Sequence, residues 1–255
     1  VKHLGVLAAT VAAIVATSCG GGAPAQQQQA PPANAKRVDE AKAATIAGRV
    51  TFEGAPVDNA PVKLDADPAC ASQHPGGLKL DTVVVENGGL ANVFVYIKDG
   101  LDSYYFDTPT QAVVLDQKGC RYTPHVFGLR VGQPLEIANS DQTMHNVHAA
   151  GSVNQEFNFA QAFQGLKTTK TFTAPEVMVP FRCNVHNWMS AYGGVLSHPY
   201  FAVTANGGAF ELKNVPAGTY TIEAWHEKLG TRTEQVTVGE KESKPLSFSF
   251  KATVP

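Results

Sequence analysis

The run Phe181-Arg182-Cys183-Asn184-Val185-His186-Asn187-Trp188-Met189 follows the apolar stretch Val177-Met178-Val179-Pro180. A strand-like lead-in is followed by a thiol, an imidazole and a thioether in the order C-x2-H-x2-M. A C-x2-H pair alone is more often a buried Cys beside a surface His, and Met189 at its offset is what gives the run chemical meaning. Sulfur donors select soft metals and imidazole suits copper. A second imidazole is offered upstream in Asn139-Ser140-Asp141-Gln142-Thr143-Met144-His145-Asn146-Val147-His148. Two His, one Cys and a weak axial Met are the donor set of a mononuclear copper site that passes electrons. His145, Cys183, His186 and Met189 are therefore the expected ligands of one copper ion cycling between Cu(I) and Cu(II). Zinc is the competing metal, but a structural zinc site takes four Cys or His ligands and no Met.

The strand period separates His145 from His148. Residues i and i+3 of a strand face opposite sides, so only one of the two can meet Cys183. His145 directly follows the polar turn and precedes Asn146, which makes it the expected ligand. His148 is left to solvent or to ordinary packing.

With ligand types, order and flanking strands taken together, roughly residues 110–197 resemble the cupredoxin family of plastocyanin-like and amicyanin-like type 1 copper proteins. The segment Val131 to Asn139 resembles the strand that leads to that family's first ligand. The resemblance implies a Greek-key β-sandwich in which one strand delivers Cys183 and a tight loop returns His186 and Met189. It also implies that Asn146 lies just outside the ligands, fixing the loop and giving its backbone N–H to the Cys183 sulfur.

The flanks carry a second pattern. Ile46, Gly48-Arg49-Val50 and Phe52 precede a turn at Gly54, and Pro61-Val62-Lys63-Leu64 follows. At the other end, Asn206-Gly207-Gly208, Val215-Pro216-Ala217-Gly218 and the runs up to Phe250 alternate turns with apolar strands. These halves resemble a carboxypeptidase regulatory-like domain, a small prealbumin-like sandwich without catalytic residues. The expected fold is all-β: a Greek-key cupredoxin sandwich over 81–199, inserted into a smaller sandwich split between 45–80 and 200–255. Domain termini lie close together, which makes insertion tolerable. Val93-Phe94-Val95-Tyr96-Ile97 is apolar on both faces and reads as a central strand. Phe157, Phe159 and Phe163 fall in a Gln/Asn-rich connection that reads as a long loop.

Lys2, the apolar run Leu4 to Val15 and Ala16-Thr17-Ser18-Cys19 read as an export signal over 1–18, too short for a permanent membrane helix. The stretch resembles a bacterial lipoprotein signal, which implies cleavage before Cys19 and acylation of that cysteine. Residues 19–44, with Gly, Gln and Pro prominent, read as a flexible linker. The expected location is the bacterial cell envelope, periplasmic or outer-membrane-associated, with a lipid anchor in the membrane and redox proteins as partners. Export leaves Cys70 and Cys120 in an oxidising compartment, and a disulfide between them is the expectation. A metal site of Cys120 with His125, or two buried thiols, are the alternatives.

Several chemistries are excluded. The formal charge of −2 gives no basic footprint for nucleic acid. There is no C-x2-C-H, G-x-S-x-G, P-loop or G-x-G-x2-G. His226-Glu227-Lys228-Leu229-Gly230 begins like H-E-x-x-H but ends on Gly. A dinuclear copper centre lacks its second bridging Cys, because position 179 is Val and 187 is Asn. The expectation is a non-enzymatic electron carrier. A copper-binding, storage or envelope interaction protein without an electron-transfer role is the alternative, and the colour of a Cu(II)–thiolate site separates the two.

Overall fold

A computed structural model describes residue 1, residues 34–55 and residues 57–252. The described residues from 34 to 252 belong to one compact unit, and the architecture below is that of this unit. The expected signal segment, the acylation at Cys19 and most of the expected linker lie outside the described residues.

The described chain is all-β, with helix confined to the turn Glu40–Lys42 and the short helix Pro68–Gln73. Four sheets stack face to face, and a separate two-stranded ribbon of Pro61–Val62 and Leu78–Lys79 packs on the core between the third and fourth. In the first sheet Ala44–Glu53 pairs antiparallel with Ala209–Val215 and parallel with Ser243–Lys251. The second runs Phe201–Val203, Phe94–Asp99, Gly218–His226, Gly230–Val238. The third runs Phe157–Gln161, His145–Ala149, Glu176–Arg182, Ser190–Leu196, Val126–Arg130. The fourth runs Lys167–Lys170, Leu135–Asn139, Val113–Gln117, Tyr122–Thr123.

Alternation along each strand builds the cores between these layers. Ile46, Val50 and Phe52 meet Ile222 and Ala224 between the first and second sheets. Leu115, Leu135 and Ile137 meet Val147, Phe181 and Ala191 between the third and fourth. The strand Phe94–Asp99 serves two cores: Val95 and Ile97 face the first sheet, while Phe94 and Tyr96 face Val126, Met178 and Leu196 of the third. The two middle sheets approach closely because glycines lie opposite rings. A Cβ on Gly194 would lie 2.3 Å from the Phe94 ring, and one on Gly128 would lie 2.2 Å from the Phe201 ring. The V-P-A-G-x-Y run closes on itself, with the buried Tyr220 hydroxyl donating to the Pro216 carbonyl at 2.7 Å.

Residues 44–53 pair with strands from 209–251. The boundaries at 80 and 81 need correction. Val85–Glu86, Gly89–Leu90 and Phe94–Asp99 join the sandwich made by the chain ends, not the Cys183 sandwich. Conversely, Leu64, Cys70 and Leu78 pack into the core of the Cys183 sandwich. A strand apolar on both faces declares that it is buried but not which strands it bonds. The segment 157–163 also differs: Phe157–Gln161 is a strand on the edge of the third sheet, paired with His145–Ala149.

Candidate metal centre

The strand Glu176–Arg182 ends one residue before Cys183, and Ser190–Leu196 leaves one residue after Met189. The loop between is closed by its own backbone. The Cys183 amide donates to the Met189 carbonyl at 3.2 Å, and the Met189 amide donates to the His186 carbonyl at 2.9 Å. His145 opens its strand beside this loop, because His145–Ala149 pairs with Glu176–Arg182 through His148↔Arg182 and Ala149↔Phe181.

Three donor atoms converge there. The Nδ1 atoms of His145 and His186 lie 3.0 Å apart, and the Cys183 Sγ is 3.8 Å from His186 Nδ1. The ligand atoms of His145, Cys183 and His186 all lie within 4.8 Å of one another, and all three residues are buried. Met189 is 2 % exposed and shares their core. His148 points away, with its Nε2 2.6 Å from the Glu156 carboxylate at the surface.

The far sides of the two imidazoles and the Cys183 sulfur are held. His145 Nε2 lies 2.9 Å from Asp141 Oδ2, and His186 Nε2 lies 2.8 Å from Asp67 Oδ2. An ionised carboxylate only accepts, so each Nε2 donates to its carboxylate and the two Nδ1 atoms are the ones turned toward each other and toward Cys183. The Cys183 sulfur accepts the amides of Asn146 and His186, each at 3.4 Å. The Asn146 side chain latches the loop, since its Oδ1 accepts the Asn184 amide at 3.0 Å. Trp188 packs against His186 with ring centres 5.0 Å apart, and its indole N–H donates to the Cys120 carbonyl at 3.0 Å.

The electrostatics follow from these contacts. Burial pushes the Cys183 thiol up, but the two imidazoles and the two amides outweigh it and bring it down to about 5. Burial pulls His145 down, but Asp141 and the Cys183 thiolate raise it to about 9. Asp67 and Asp141 lie below the ordinary carboxyl range; burial opposes this, and hydrogen bonds from backbone amides and imidazoles prevail. A thiolate with two imidazole Nδ1 atoms in a buried pocket fits copper, and copper held there would take up and give back one electron.

Cys70 and Cys120 form a disulfide with Cα atoms 5.7 Å apart, so neither of the two alternatives for these cysteines holds. His125 is instead bound to Glu227 and to the Ser190 carbonyl. Cys183 is the free cysteine among the described residues. Asp67 and Asp141 were not legible as site residues. The signals were Asp67-Pro68, an N-cap before a proline at a helix start, and an Asp four residues before His145. Neither says that an imidazole of the cluster sits opposite.

No protein family and no curated protein sequence matches the chain. Among solved structures it is similar to the Cu(I) form of an amicyanin mutant, at 22% identity and TM-score 0.30, over 33% of this chain and 81% of that one. An oxidised amicyanin mutant gives 23% identity and the same TM-score and coverage. A Cu-containing nitrite reductase from Thermus scotoductus gives 19% identity and TM-score 0.29, over 40% of this chain and 25% of that one.

Proposed function

We infer that the protein is a mononuclear copper protein that carries single electrons. His145, Cys183 and His186 hold the ion and Met189 supplies a weak axial thioether. One observation carries this reading: two imidazole Nδ1 atoms and one thiolate converge in a buried pocket, while their other polar atoms are tied elsewhere. A carrier needs a site that changes little between Cu(I) and Cu(II), and a latched loop on a rigid sandwich favours that. The chain is exported, tethered to an envelope membrane through an acylated Cys19, and exchanges electrons with envelope redox proteins. Titration of the metal-free protein with Cu(II) gives an intense visible thiolate-to-copper band, and Cys183→Ser removes it. A colourless Cu(II) protein overturns the reading.

A second reading, copper binding or storage without an electron route, has one observation in its favour. His186 is only 2 % exposed and lies beneath Asp67 and the disulfide. Electron self-exchange separates the two: a carrier exchanges rapidly between its Cu(I) and Cu(II) forms, and a store does not.

A further inference from the structure

The disulfide stands in a regular relation to the two imidazoles. The Cys70 amide donates to Asp67 Oδ1 at 3.0 Å, and Asp67 Oδ2 holds His186 Nε2. The Cys120 amide donates to Asp141 Oδ2 at 2.7 Å, and the same oxygen holds His145 Nε2. Each half of the disulfide thus anchors the carboxylate that grips one imidazole. The remaining bonds restrict each carboxylate further. Thr143 Oγ1 donates to Asp67 Oδ2 at 3.1 Å, and the Gly119 amide donates to Asp141 Oδ1 at 2.8 Å. Cys70 Sγ lies 3.8 Å from His186 Nε2.

We propose that Asp67 and Asp141 are positioning residues for the metal centre, and that the Cys70–Cys120 disulfide braces both at once. Neither carboxylate is a ligand; each fixes the ring orientation and the hydrogen on Nε2, so that both Nδ1 lone pairs meet one point. Loss of such an outer partner typically lowers metal affinity by about 10–100-fold. Asp67 reaches its histidine from residues 61–79, a strap that the disulfide holds against the site.

The proposal rests on the metal-site reading, and the test separates the two. Asp67→Ala, Asp67→Asn, Asp141→Ala and the double variant Cys70→Ala/Cys120→Ala are compared with the full chain. Mass spectrometry confirms that the disulfide is intact in the Asp variants, and thermal unfolding without metal confirms that all are folded. Cu(I) affinity falls by about 10-fold or more in each Ala variant and in the double variant. Asp67→Asn, whose carbonyl can still accept the Nε2 hydrogen, recovers most of the loss. NMR of the Zn(II)-loaded protein gives a readout independent of copper: two slowly exchanging imidazole Nε2 hydrogens in the wild type, one of them lost in each Asp→Ala variant. Wild-type Cu(I) affinity together with both Nε2 hydrogens in the Asp→Ala variants overturns the positioning role. Wild-type affinity in the double-cysteine variant overturns the brace. A wild type that shows both Nε2 hydrogens with Zn(II) but no thiolate band with Cu(II) sinks the copper reading and leaves the positioning intact.

Discussion

At the scale of single residues, the convergence of His145, Cys183 and His186 was legible because these residues are chemically distinctive and two of them share one short loop. Strand period said that only one of His145 and His148 could meet Cys183, and the polar turn before His145 and Asn146 after it chose between them. The contacts differ accordingly, with one imidazole grouped with Cys183 and the other beside Glu156. His145→Ala therefore removes the visible copper band, while His148→Ala leaves the band in place and shifts stability by no more than about 0.5 kcal/mol. Retention of colour in the first variant or its loss in the second reverses the assignment. Met189 belongs to a different class of contribution. A weak axial thioether tunes the potential without being needed to hold the ion. Met189→Leu is expected to keep copper and most of the colour and to raise the potential, as read by voltammetry; a lowered potential excludes the axial role. Asp67 was not legible because its partner lies 119 residues away and no local pattern links them. An aspartate that caps a short helix looks the same whether or not a ligand sits opposite.

At the scale of elements, Phe94–Asp99 shows both the reach of pattern reasoning and its limit. Two apolar faces announced a strand between two cores, and it lies between two cores, but its hydrogen-bond partners are 201–203 and 218–226. The close approach it makes depends on Gly194, whose added Cβ would overlap the Phe94 ring. Gly194→Ala should cost about 1–3 kcal/mol, the usual range for an overpacked core. Denaturant unfolding checks this, and an unchanged midpoint would show that the layers can part. The strand Glu176–Arg182 is anchored at its start by charge. The Glu176 carboxylate accepts the amides of Ser152, Val153 and Asn154 and the Asn154 side-chain amide. Burial opposes ionisation, yet these donors bring the group down to about 2. Its folded value lies below its unfolded one, so its contribution to stability is complete above the ordinary carboxyl range and disappears as pH falls toward about 2. Glu176→Gln should flatten the acid limb of the stability–pH curve and lower stability at neutral pH. A variant with the wild-type acid limb would show that the loop at 151–154 does not depend on this carboxylate.

At the scale of the whole molecule, the chain passes back and forth between two sandwiches instead of completing one before starting the other. Residues 44–53 belong to the first, 61–79 to the second, 85–99 to the first, 113–196 to the second and 201–251 to the first. A contiguous insertion was the simplest reading of two half-patterns, and the strap at 61–79 escaped it because its strands are two residues long and carry no period. The physical consequence is shared stability. Phe94 and Tyr96 of one sandwich are packed against Val126, Met178 and Leu196 of the other. Neither sandwich can open without exposing that cluster, so the two should unfold in one transition. Metal binding offers a way to see this, because a ligand of the folded state stabilises everything that unfolds with its site. At a free Cu(I) concentration 100 times Kd, the gain is about 2.7 kcal/mol. In a chain of this size that corresponds to a Tm increase of about 5–10 °C. The chain has two tryptophans. Trp188 stands beside His186 and Trp225 lies in the second sheet, its ring tilted against that of Tyr192 with centres 5.1 Å apart. In Trp188→Phe the remaining indole, on a strand of the first sandwich and in contact with Tyr192 of the second, reports on the face where the two meet. Its fluorescence transition should rise by the same amount on Cu(I) loading as a backbone signal from the whole chain. If the Trp225 transition stays in place while part of the backbone signal moves up, the sandwiches unfold independently and the cluster around Phe94 does not couple them.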